Sequence, residues 1–463
     1  MTGANDSITQ ALSRWMTNLD LTAIPEDVIQ ATEQRILDVI GLALIGRRSG
    51  VGVAILKAGR RLEGSPQAHI LGDATRTGMA TAALVNGALA EAIEYDDTHN
   101  ESVVHVGAPV VAAALAAGEA IDASGVDLIT AVAGACEITC RLALIACGEF
   151  HGRGFHPTGI MGPFGAVYAA SKLSGVPDDV MTSAAGIVGS QAAGLLACWF
   201  DGTSVKTLHP GWAAHSGIVA LEFARAGVTG PAQIFESKWG LLASHIQDAS
   251  VRLDFARARD ELGETWESRE ISFKPYPAAH VMHGLIEAAL DARRGLSVQD
   301  IERITCHVAP HWAPIVCEPA ALKRRPPSTE AARISLPHTI AEVFVRGRLD
   351  ASSYTPADLC DPAIQHLADR VHYEIEPGWT DRAVFPGTVR AALRDGREIV
   401  ARVDSHLGGS RRPLSFEQIT DKFRRNAAHC ISEPAAICEA VRALRHGAHV
   451  RDLVELIHPD GEA

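Results

Sequence analysis

Long segments of small apolar residues dominate the chain from about residue 5 to about residue 265, and they constrain its fold more than any other feature. Alanine and glycine recur on all sides of these segments, so neighbouring helices can approach one another closely. An early helix is predicted to begin after Pro25 and to end at Gly46. Six further helices are expected at 79–94, 108–121, 126–147, 163–174, 181–199 and 212–227.

The sequence changes character after about residue 268. The segments ERITCHVAP and RVHYEIEP are typical of strands, because β-branched and alternating residues are frequent in them. The segment TVRAALRDGREIVARV predicts a hairpin that turns at Asp395 and Gly396. Helices are expected among these strands at 281–294 and 337–346, so this part of the chain reads as an α+β domain.

A chain of 463 residues is long enough for two domains. After the α+β part, Ser415 and Gln418 fit a capping box that begins another helix, and the helical pattern continues to about residue 457. We expect these last helices to return to the first domain. The predicted fold is therefore mostly α, with a large all-helical domain and an inserted, smaller α+β lid domain; their bounds are 1–267 with 406–463, and 268–405.

Composition excludes several classes of protein. The net charge of −13 argues against a nucleic-acid partner. The nine cysteines are scattered without a repeated C-x-x-C spacing, which favours free thiols in a reducing compartment. The longest apolar segment carries Glu137 and Arg141, which argues against a membrane span, and the first residues do not resemble a secretory signal. A cytoplasmic protein without a membrane partner is expected.

Four polar clusters lie at the ends of apolar helices. They read EYDDTHNESVVHVGAP at 94–109, HGRGFHPTG at 151–159, DGTSVKTLHPGWAAHSG at 201–217 and FKPYPAAHVMH at 273–283. Charged groups between buried helices are costly unless they are paired or used. Each cluster also has a simple structural explanation, because Asp caps helices, His-Pro forms turns and an isolated lysine is usually solvated.

Two kinds of chemistry fit these clusters. Asp97, His99 and His105 could supply a carboxylate and two imidazoles to a metal, but their spacing is not diagnostic, and no complete metal, iron–sulfur or nucleotide motif is present. The preferred hypothesis is metal-free acid–base chemistry on an anionic substrate. Histidines exchange protons near neutral pH, and Lys206 and Lys274 can hold carboxylates. Hydroxyl donors are available at Thr98, Thr158, Thr203 and Ser204. A carboxylate-binding protein without activity is the alternative.

Taken together, the clusters resemble the MmgE/PrpD family, which includes 2-methylcitrate dehydratases, cis-aconitate decarboxylases and iminodisuccinate epimerases. The matching pieces are Y-D-D-T-H at 95–99, H-V-G-A-P at 105–109, G-F-H-P-T at 154–158, V-K-T-L-H-P-G at 205–211 and K-P-Y-P-A-A-H at 274–280, with EAARISLP at 330–337 as a looser match. The likeness runs over nearly the whole chain.

The resemblance implies an all-helical domain, a lid, a pocket between them and a homodimer. It places the site at Glu94, Thr98, His105, His156, Lys206 and Lys274. The family often has Asp where Glu94 stands, and many members have Tyr where His338 stands. Decarboxylating members use a tyrosine after the strand that matches ERITCHVAP, whereas this chain reads HWAPIV there.

The resulting prediction is a cofactor-independent lyase that removes a proton next to a carboxylate of a di- or tricarboxylate. A 2-methylcitrate dehydratase-like hydro-lyase is preferred over an epimerase or a cis-aconitate decarboxylase-like enzyme. His156 is expected to be the base and His105 its partner, with a pKa that Glu94 raises. Glu94, Lys206 and Lys274 complete the predicted catalytic set. Further substrate contacts are expected from Thr98, Asp97, Thr158, Ser204 and His209, with Asp96 and Asp97 also capping and orienting.

Overall fold

The structure, a computed structural model, describes residues 6–62 and 64–457. The outer ends of the predicted helical domain, 1–5 and 458–463, lie outside the described residues. The fold is mostly α. The first part of the chain holds helices α1 Ile8–Asn18, α2 Glu26–Gly46, α3 Gly50–Gly59, α4 Met79–Glu91, α5 Gly107–Ile121, α6 Gly125–Leu144, α7 Glu149–Gly152, α8 Pro157–Leu173, α9 Asp178–Gly189, α10 Cys198–Asp201, α11 Leu208–Arg225 and α12 Leu241–Ile246.

Small residues let the central helices of this part pack closely, as the sequence predicted. A Cβ atom added at Gly87 of α4 would lie 2.9 Å from the Cα of Gly211 in α11. A Cβ at Gly211 would lie only 2.1 Å from the carbonyl oxygen of Leu84. The two helices therefore touch backbone to backbone, which only glycine permits at this crossing.

The first part is not all-helical, which corrects the prediction. Two short antiparallel ladders join its helices, and each consists of two-residue strands. Strand β1 pairs with β2, and β3 pairs with β4. Such short strands carry too few residues to show an alternating pattern, so they could not be predicted from the sequence. Their bounds are β1 Ala68–His69, β2 Arg76–Thr77, β3 Thr98–His99 and β4 Ile271–Ser272.

The helix expected at 181–199 ends ten residues early, at Gly189. The following segment runs alongside the one that precedes α8, where the backbone N–H of His156 donates to the carbonyl of Gly194 at 2.9 Å. Phe155 and Leu195 form an isolated β-bridge in the same place. The helix ends here because the segment that follows it forms hydrogen bonds with the backbone around His156. These bonds outweigh the local helix propensity of that segment.

The later part of the chain carries a four-stranded sheet in the order β6-β5-β7-β8. Strands β5 and β6 are parallel, and the other pairs are antiparallel. The predicted hairpin is present, with Gly396 at a φ of 86° in its turn. The elements are α13 His283–Ala292, β5 Ile301–Val308, α14 Ala313–Val316, α15 Ala320–Arg324, α16 Thr329–Ala332, α17 Leu336–Arg346, α18 Pro356–Cys360, α19 Pro362–Ala368, β6 Val371–Ile375, β7 Gly387–Leu393 and β8 Glu398–Val403.

Apolar side chains form two separate buried clusters. One draws on residues between 8 and 273 and again between 414 and 457, and the other on residues between 278 and 401. The last helices pack into the first cluster, and the capping box of Ser415 and Gln418 opens them as predicted. The division into domains and the lid stay predictions. These helices are α20 Phe416–Ala427, α21 Pro434–Ala443 and α22 Val450–Glu455.

Within residues 6–62 and 64–457, no single helix is both long and apolar enough to cross a membrane. Helices α2 and α3 reach the length and apolar composition of a membrane span only when they are taken together, and the chain bends by 96° between them. All nine cysteines lie in the described ranges and are free thiols, most of them buried.

Candidate active site

A two-residue ladder brings distant parts of the chain into one site. In the β3–β4 pair, Thr98 lies opposite Ser272 and His99 lies opposite Ile271. The chain continues from β4 into Lys274, whose ammonium group is fully buried. The ladder therefore sets Lys274 against the carboxylates that precede β3.

Glu94 is the centre of this site, because it joins two lysines. Its Oε2 accepts from the Lys206 ammonium at 2.7 Å, and its Oε1 accepts from the Lys274 ammonium at 3.0 Å. Lys206 also contacts Glu91, the last residue of α4. Glu94 has a φ of 55°, a backbone conformation that residues other than glycine rarely adopt. Such strain is typical of functional positions.

The three buried carboxyl groups have different charge states. Burial opposes the ionisation of Glu94, but Lys206 and Lys274 outweigh it and hold the pKa of Glu94 well below its usual range. Burial, reinforced by Asp96, raises the pKa of Glu91 to about 8. Burial raises the pKa of Asp96 to about 6. At neutral pH, Glu94 and Asp96 are therefore ionised, and Glu91 is the carboxyl group of the three that keeps a proton to the highest pH.

His105 is surrounded by these carboxyl groups. Its Nδ1 lies 3.1 Å from Asp96 Oδ2 and 3.7 Å from a Glu91 oxygen, and its Nε2 lies 3.9 Å from Glu94 Oε1. Burial nevertheless lowers the pKa of His105 to about 4. Glu94 acts to raise this pKa, as expected, but the expected net rise is wrong, because desolvation of the imidazolium outweighs the carboxylates and both lysines oppose its charge.

His156 lies close to His105, with 5.7 Å between the ring centroids. It stands immediately before α8, where Pro157 begins the helix. Its Nδ1 lies 3.0 Å from the Nδ1 of His209, in the first turn of α11. Burial and the neighbouring Lys206 lower the pKa of His156 well below its usual range. Both histidines are therefore neutral at pH 7, and the titratable groups that act most strongly on His156 are Lys206 and other histidines.

Thr158 and Asp97, which were predicted to bind the substrate, instead hold the backbone around the site in place. The hydroxyl oxygen of Thr158 accepts from the backbone N–H of His105 at 3.0 Å. Asp97 accepts from the backbone N–H of Gly107 at 2.7 Å, at the start of α5, and pairs with the buried Arg35 at 2.7 Å. Asp97 therefore caps a helix, as the sequence indicated, but neither side chain lines the open space of the site.

That open space consists of two adjoining recesses. The histidine recess is lined by Thr98, His105, His156 and His280, among others. The cation recess is lined by Ser204, Lys323 and Arg333, among others. Four residues line both recesses and so connect them: Glu94, Trp199, Lys206 and Ile334. Of the other predicted contacts, Thr98 presents a buried hydroxyl that has no hydrogen-bond partner among the described residues, whereas His209 lies against His156.

Sequence reasoning missed some members of the site. Glu91 was hidden in an apolar helix, where a lone carboxyl group was the only signal. Asp96 was expected to act as a cap but lies against His105. His280 was visible in the cluster at 273–283. It lines the histidine recess, and both of its buried ring nitrogens lack hydrogen-bond partners within the part of the chain that the structure describes. The cluster at 151–159 likewise supplies His151, which stacks on Trp199 with 5.6 Å between centroids.

The metal hypothesis made from sequence does not match the geometry. Asp97 is engaged by Arg35 and Gly107, and His99 Nδ1 lies 2.7 Å from the Ser102 hydroxyl. In the described part of the chain, the group with converging ligand atoms is instead Glu91, Asp96 and His105, whose atoms lie within 4.8 Å of one another. The ammonium of Lys206 already contacts this group through Glu91.

Comparisons with known proteins agree with the sequence motifs. The MmgE/PrpD N-terminal domain matches residues 10–254, and the MmgE/PrpD C-terminal domain matches residues 276–446. A cis-aconitate decarboxylase-like protein of Aspergillus oryzae is 27% identical over 97% of each chain. Cis-aconitate decarboxylase of Aspergillus terreus is 26% identical over 98% of this chain and 96% of its own length. The human cis-aconitate decarboxylase is 26% identical over 92% of this chain and 89% of its own length. This chain belongs to the MmgE/PrpD family.

Proposed function

We propose that this protein is a cofactor-independent lyase that acts on a di- or tricarboxylate by removing a proton next to a carboxylate. Within that class we propose a hydro-lyase of the 2-methylcitrate dehydratase type. The observation that carries the proposal is the arrangement around Glu94, where two buried ammonium groups meet a neutral histidine ringed by carboxyl groups. Its relatives, which are named cis-aconitate decarboxylases, support the class of lyases.

Substrate binding follows from the lysines. Lys206 and Lys274 are buried and hold Glu94 between them. A substrate carboxylate can take over the contacts that Glu94 makes, because it offers the same charge and the same acceptor atoms. As the α proton leaves, negative charge grows on the oxygens of that carboxylate, and the ammonium groups stabilise it.

His105 is the better candidate for the base. A base becomes cationic when it takes a proton, so it needs carboxylates nearby, and His105 has Asp96 at 3.1 Å. The ionised Asp96 favours a proton on Nδ1, which leaves Nε2 free to accept the proton of the substrate. The titratable groups that act most strongly on His156 are Lys206 and other histidines, and all of them oppose a proton on its ring. This assignment reverses the order that the sequence suggested.

Glu91 is the best candidate for the acid. Its pKa is raised to about 8, so of the three carboxyl groups it keeps a proton to the highest pH, and within the described residues its buried Oε2 has no hydrogen-bond partner. In the proposed reaction, Nε2 of His105 takes the proton from carbon, the new double bond forms, and the carbon–oxygen bond breaks. The proton of Glu91 passes to the departing hydroxyl group, which leaves as water.

Decarboxylation is the second candidate, because the relatives reported above carry that name. That reaction needs a proton donor at carbon after carbon dioxide has left, which the protonated Glu91 also supplies. The segment HWAPIV, where the resemblance places a tyrosine in decarboxylating members, contributes Ile315 to the histidine recess. An apolar side chain cannot donate a proton, which favours dehydration.

One experiment separates these reactions. The protein is incubated in D2O with a panel of hydroxy-tricarboxylates, cis-aconitate and amino-dicarboxylates, and the products are followed by NMR. A hydro-lyase forms an alkene and water, a decarboxylase releases carbon dioxide, and an epimerase takes up deuterium without net loss. Thermal stabilisation without turnover of any acid would contradict the proposal and would favour a carboxylate-binding protein. The homodimer stays a prediction.

A further inference from the structure

The cation recess contains two buried cations that the proposed chemistry does not use. Lys323 is 4% exposed and Arg333 is 6% exposed. Throughout residues 6–62 and 64–457, no carboxylate oxygen lies within 4.0 Å of either cation. This differs from Lys206 and Lys274 in the same site, which both pair with Glu94. Buried cations without an acid partner are unusual, because desolvation of a charge is costly.

Backbone carbonyl groups hold these two cations in place. The Lys323 ammonium donates to the carbonyl oxygen of Ile334 at 2.8 Å. The Arg333 guanidinium donates to the carbonyl oxygen of Pro277 at 3.1 Å and lies over the ring of Tyr354 at 4.8 Å. A lysine has three N–H donors and an arginine has five, so donors remain on both groups. Carbonyl groups fix the positions of the cations but do not neutralise them.

The pKa shifts of Lys323 and Arg333 are those expected of cations that form an anion-binding site. Burial lowers the pKa of Lys323 to about 8 and also lowers the pKa of Arg333. For Lys206, burial acts in the same direction, but Glu91 and Glu94 outweigh it and raise the pKa. A bound carboxylate would raise the pKa of Lys323 in the same way as Glu91 and Glu94 raise the pKa of Lys206.

The cation recess adjoins the reacting groups. It shares Glu94 and Lys206 with the histidine recess, so one ligand can reach both spaces. Ser204 lines the cation recess and adds a hydroxyl group. The carboxyl group in this recess that does not belong to the catalytic cluster is Glu330, which is half-buried and accepts from the Thr329 hydroxyl at 3.1 Å. One carboxylate faces two cations there.

We propose that Lys323 and Arg333 form a subsite for a third substrate carboxylate, one that is remote from the reacting carbon. Lys206 and Lys274 bind the carboxylates near the reacting carbon, and the subsite then selects a tricarboxylate over a dicarboxylate of the same shape. This inference rests on the proposed function, since it assigns the remote end of the same ligand.

Two unreactive acids test the subsite by calorimetric titration of the full chain. Tricarballylate carries three carboxylates, and methylsuccinate is the same molecule with one carboxymethyl group replaced by methyl. The unmutated protein should bind tricarballylate at least about 10-fold more tightly, which is the lower end for a charge-assisted contact. Lys323→Met should lose that preference and leave methylsuccinate binding unchanged. Lys323→Arg should restore most of it.

A matched control is Arg325→Met, which removes an exposed cation two residues along the chain. It should leave both affinities unchanged. If Lys323→Met weakens the two acids equally, or weakens neither, the subsite is overturned while the proposed function stands. If the unmutated protein binds neither acid, the subsite and the proposed function are overturned together. Arg333→Lys gives a second reading of the same subsite, since it keeps the charge but loses the planar fork and should weaken only tricarballylate.

Discussion

Lys274 lies 3.0 Å from Glu94, although 180 residues separate them along the chain. The contact depends on the β3–β4 ladder, which lines up the segments that carry the two residues. Glu94 therefore holds the lysines in the positions where a substrate carboxylate would meet them. The predictions below follow from this arrangement.

Removing either lysine should weaken substrate binding. Lys206→Met and Lys274→Met each delete a buried charge-assisted contact worth about 1.5–3 kcal/mol, so affinity should fall roughly 10- to 150-fold. Calorimetric titration with the acid identified by NMR measures this loss. Lys238→Met is the control, because Lys238 is exposed and does not line either recess. Unchanged affinity in one of the two variants would place that lysine outside the binding site.

Exchange in D2O should identify the base. His105→Gln should lose turnover and deuterium exchange at the α carbon by about 10²- to 10⁴-fold while the protein still folds. His156→Gln should keep more exchange, because it leaves the Asp96–His105 pair intact. The exposed His429 provides the control variant, His429→Gln. The opposite result, with exchange lost only in His156→Gln, would restore the assignment made from the sequence.

The pH profile should reflect carboxyl groups and not histidines. The pKa of Asp96 is raised to about 6, so activity should rise as the pH passes 6 and Asp96 ionises. The pKa of Glu91 is raised to about 8, so activity should fall as the pH passes 8 and the acid loses its proton. The pKa of His105 is lowered to about 4, outside this window.

The pH profile of kcat/KM checks this assignment in two variants. Asp96→Asn should lose the acid limb, and the residual activity of Glu91→Gln should lack the alkaline limb. An acid limb that persists in Asp96→Asn and vanishes in His105→Gln would assign that limb to the histidine.

Activity should survive prolonged treatment with EDTA and should need no added nucleotide. Glu91, Asp96 and His105 converge, but the Lys206 ammonium already contacts this group and would repel a second cation. Turnover after dialysis against EDTA, compared with an untreated sample, measures this directly. A loss that a divalent ion reverses would show that the three residues hold a metal.

Asp97 should matter for stability and not for substrate binding. Asp97→Ala leaves Arg35 buried without its partner and removes the cap of α5, so the free energy of unfolding should fall by about 3–5 kcal/mol. Asp404→Ala, at an exposed ion pair, should change it little. Chemical denaturation measures both. A variant that unfolds normally but shows a raised KM would instead support the substrate contact predicted from the sequence.

The fold could be anticipated where local patterns decide it. The small residues of the apolar segments predicted close helix packing, which the contact between Gly87 and Gly211 confirms. The Asp395-Gly396 turn and the Ser415 cap each appear where they were predicted. Prediction from local patterns failed where contacts with a segment distant in the sequence determine the structure. The helix that ends at Gly189 stops because its continuation pairs with the backbone around His156, and no propensity records that contact.

The same distinction applies to the site. Its histidines and lysines could be found because they stand out between apolar segments. The charge on His105 could not be predicted, since it depends on how completely other elements exclude water from the ring. Glu91 was missed for a similar reason, because a carboxyl group within a helix reveals its role only when Lys206 and Asp96 are seen around it.

The ladder between β3 and β4 also sets when the candidate site is completed during synthesis of the chain. The ribosome releases Glu94 and Lys206 well before Lys274 emerges, and domains tend to fold as they emerge. Until β4 pairs with β3, Glu94 has only one of its two ammonium partners, and the side of the histidine recess that His280 lines does not yet exist. A nascent or truncated N-terminal half therefore lacks part of the pocket that the proposed reaction needs. The candidate site is complete only after the second half of the chain has been made.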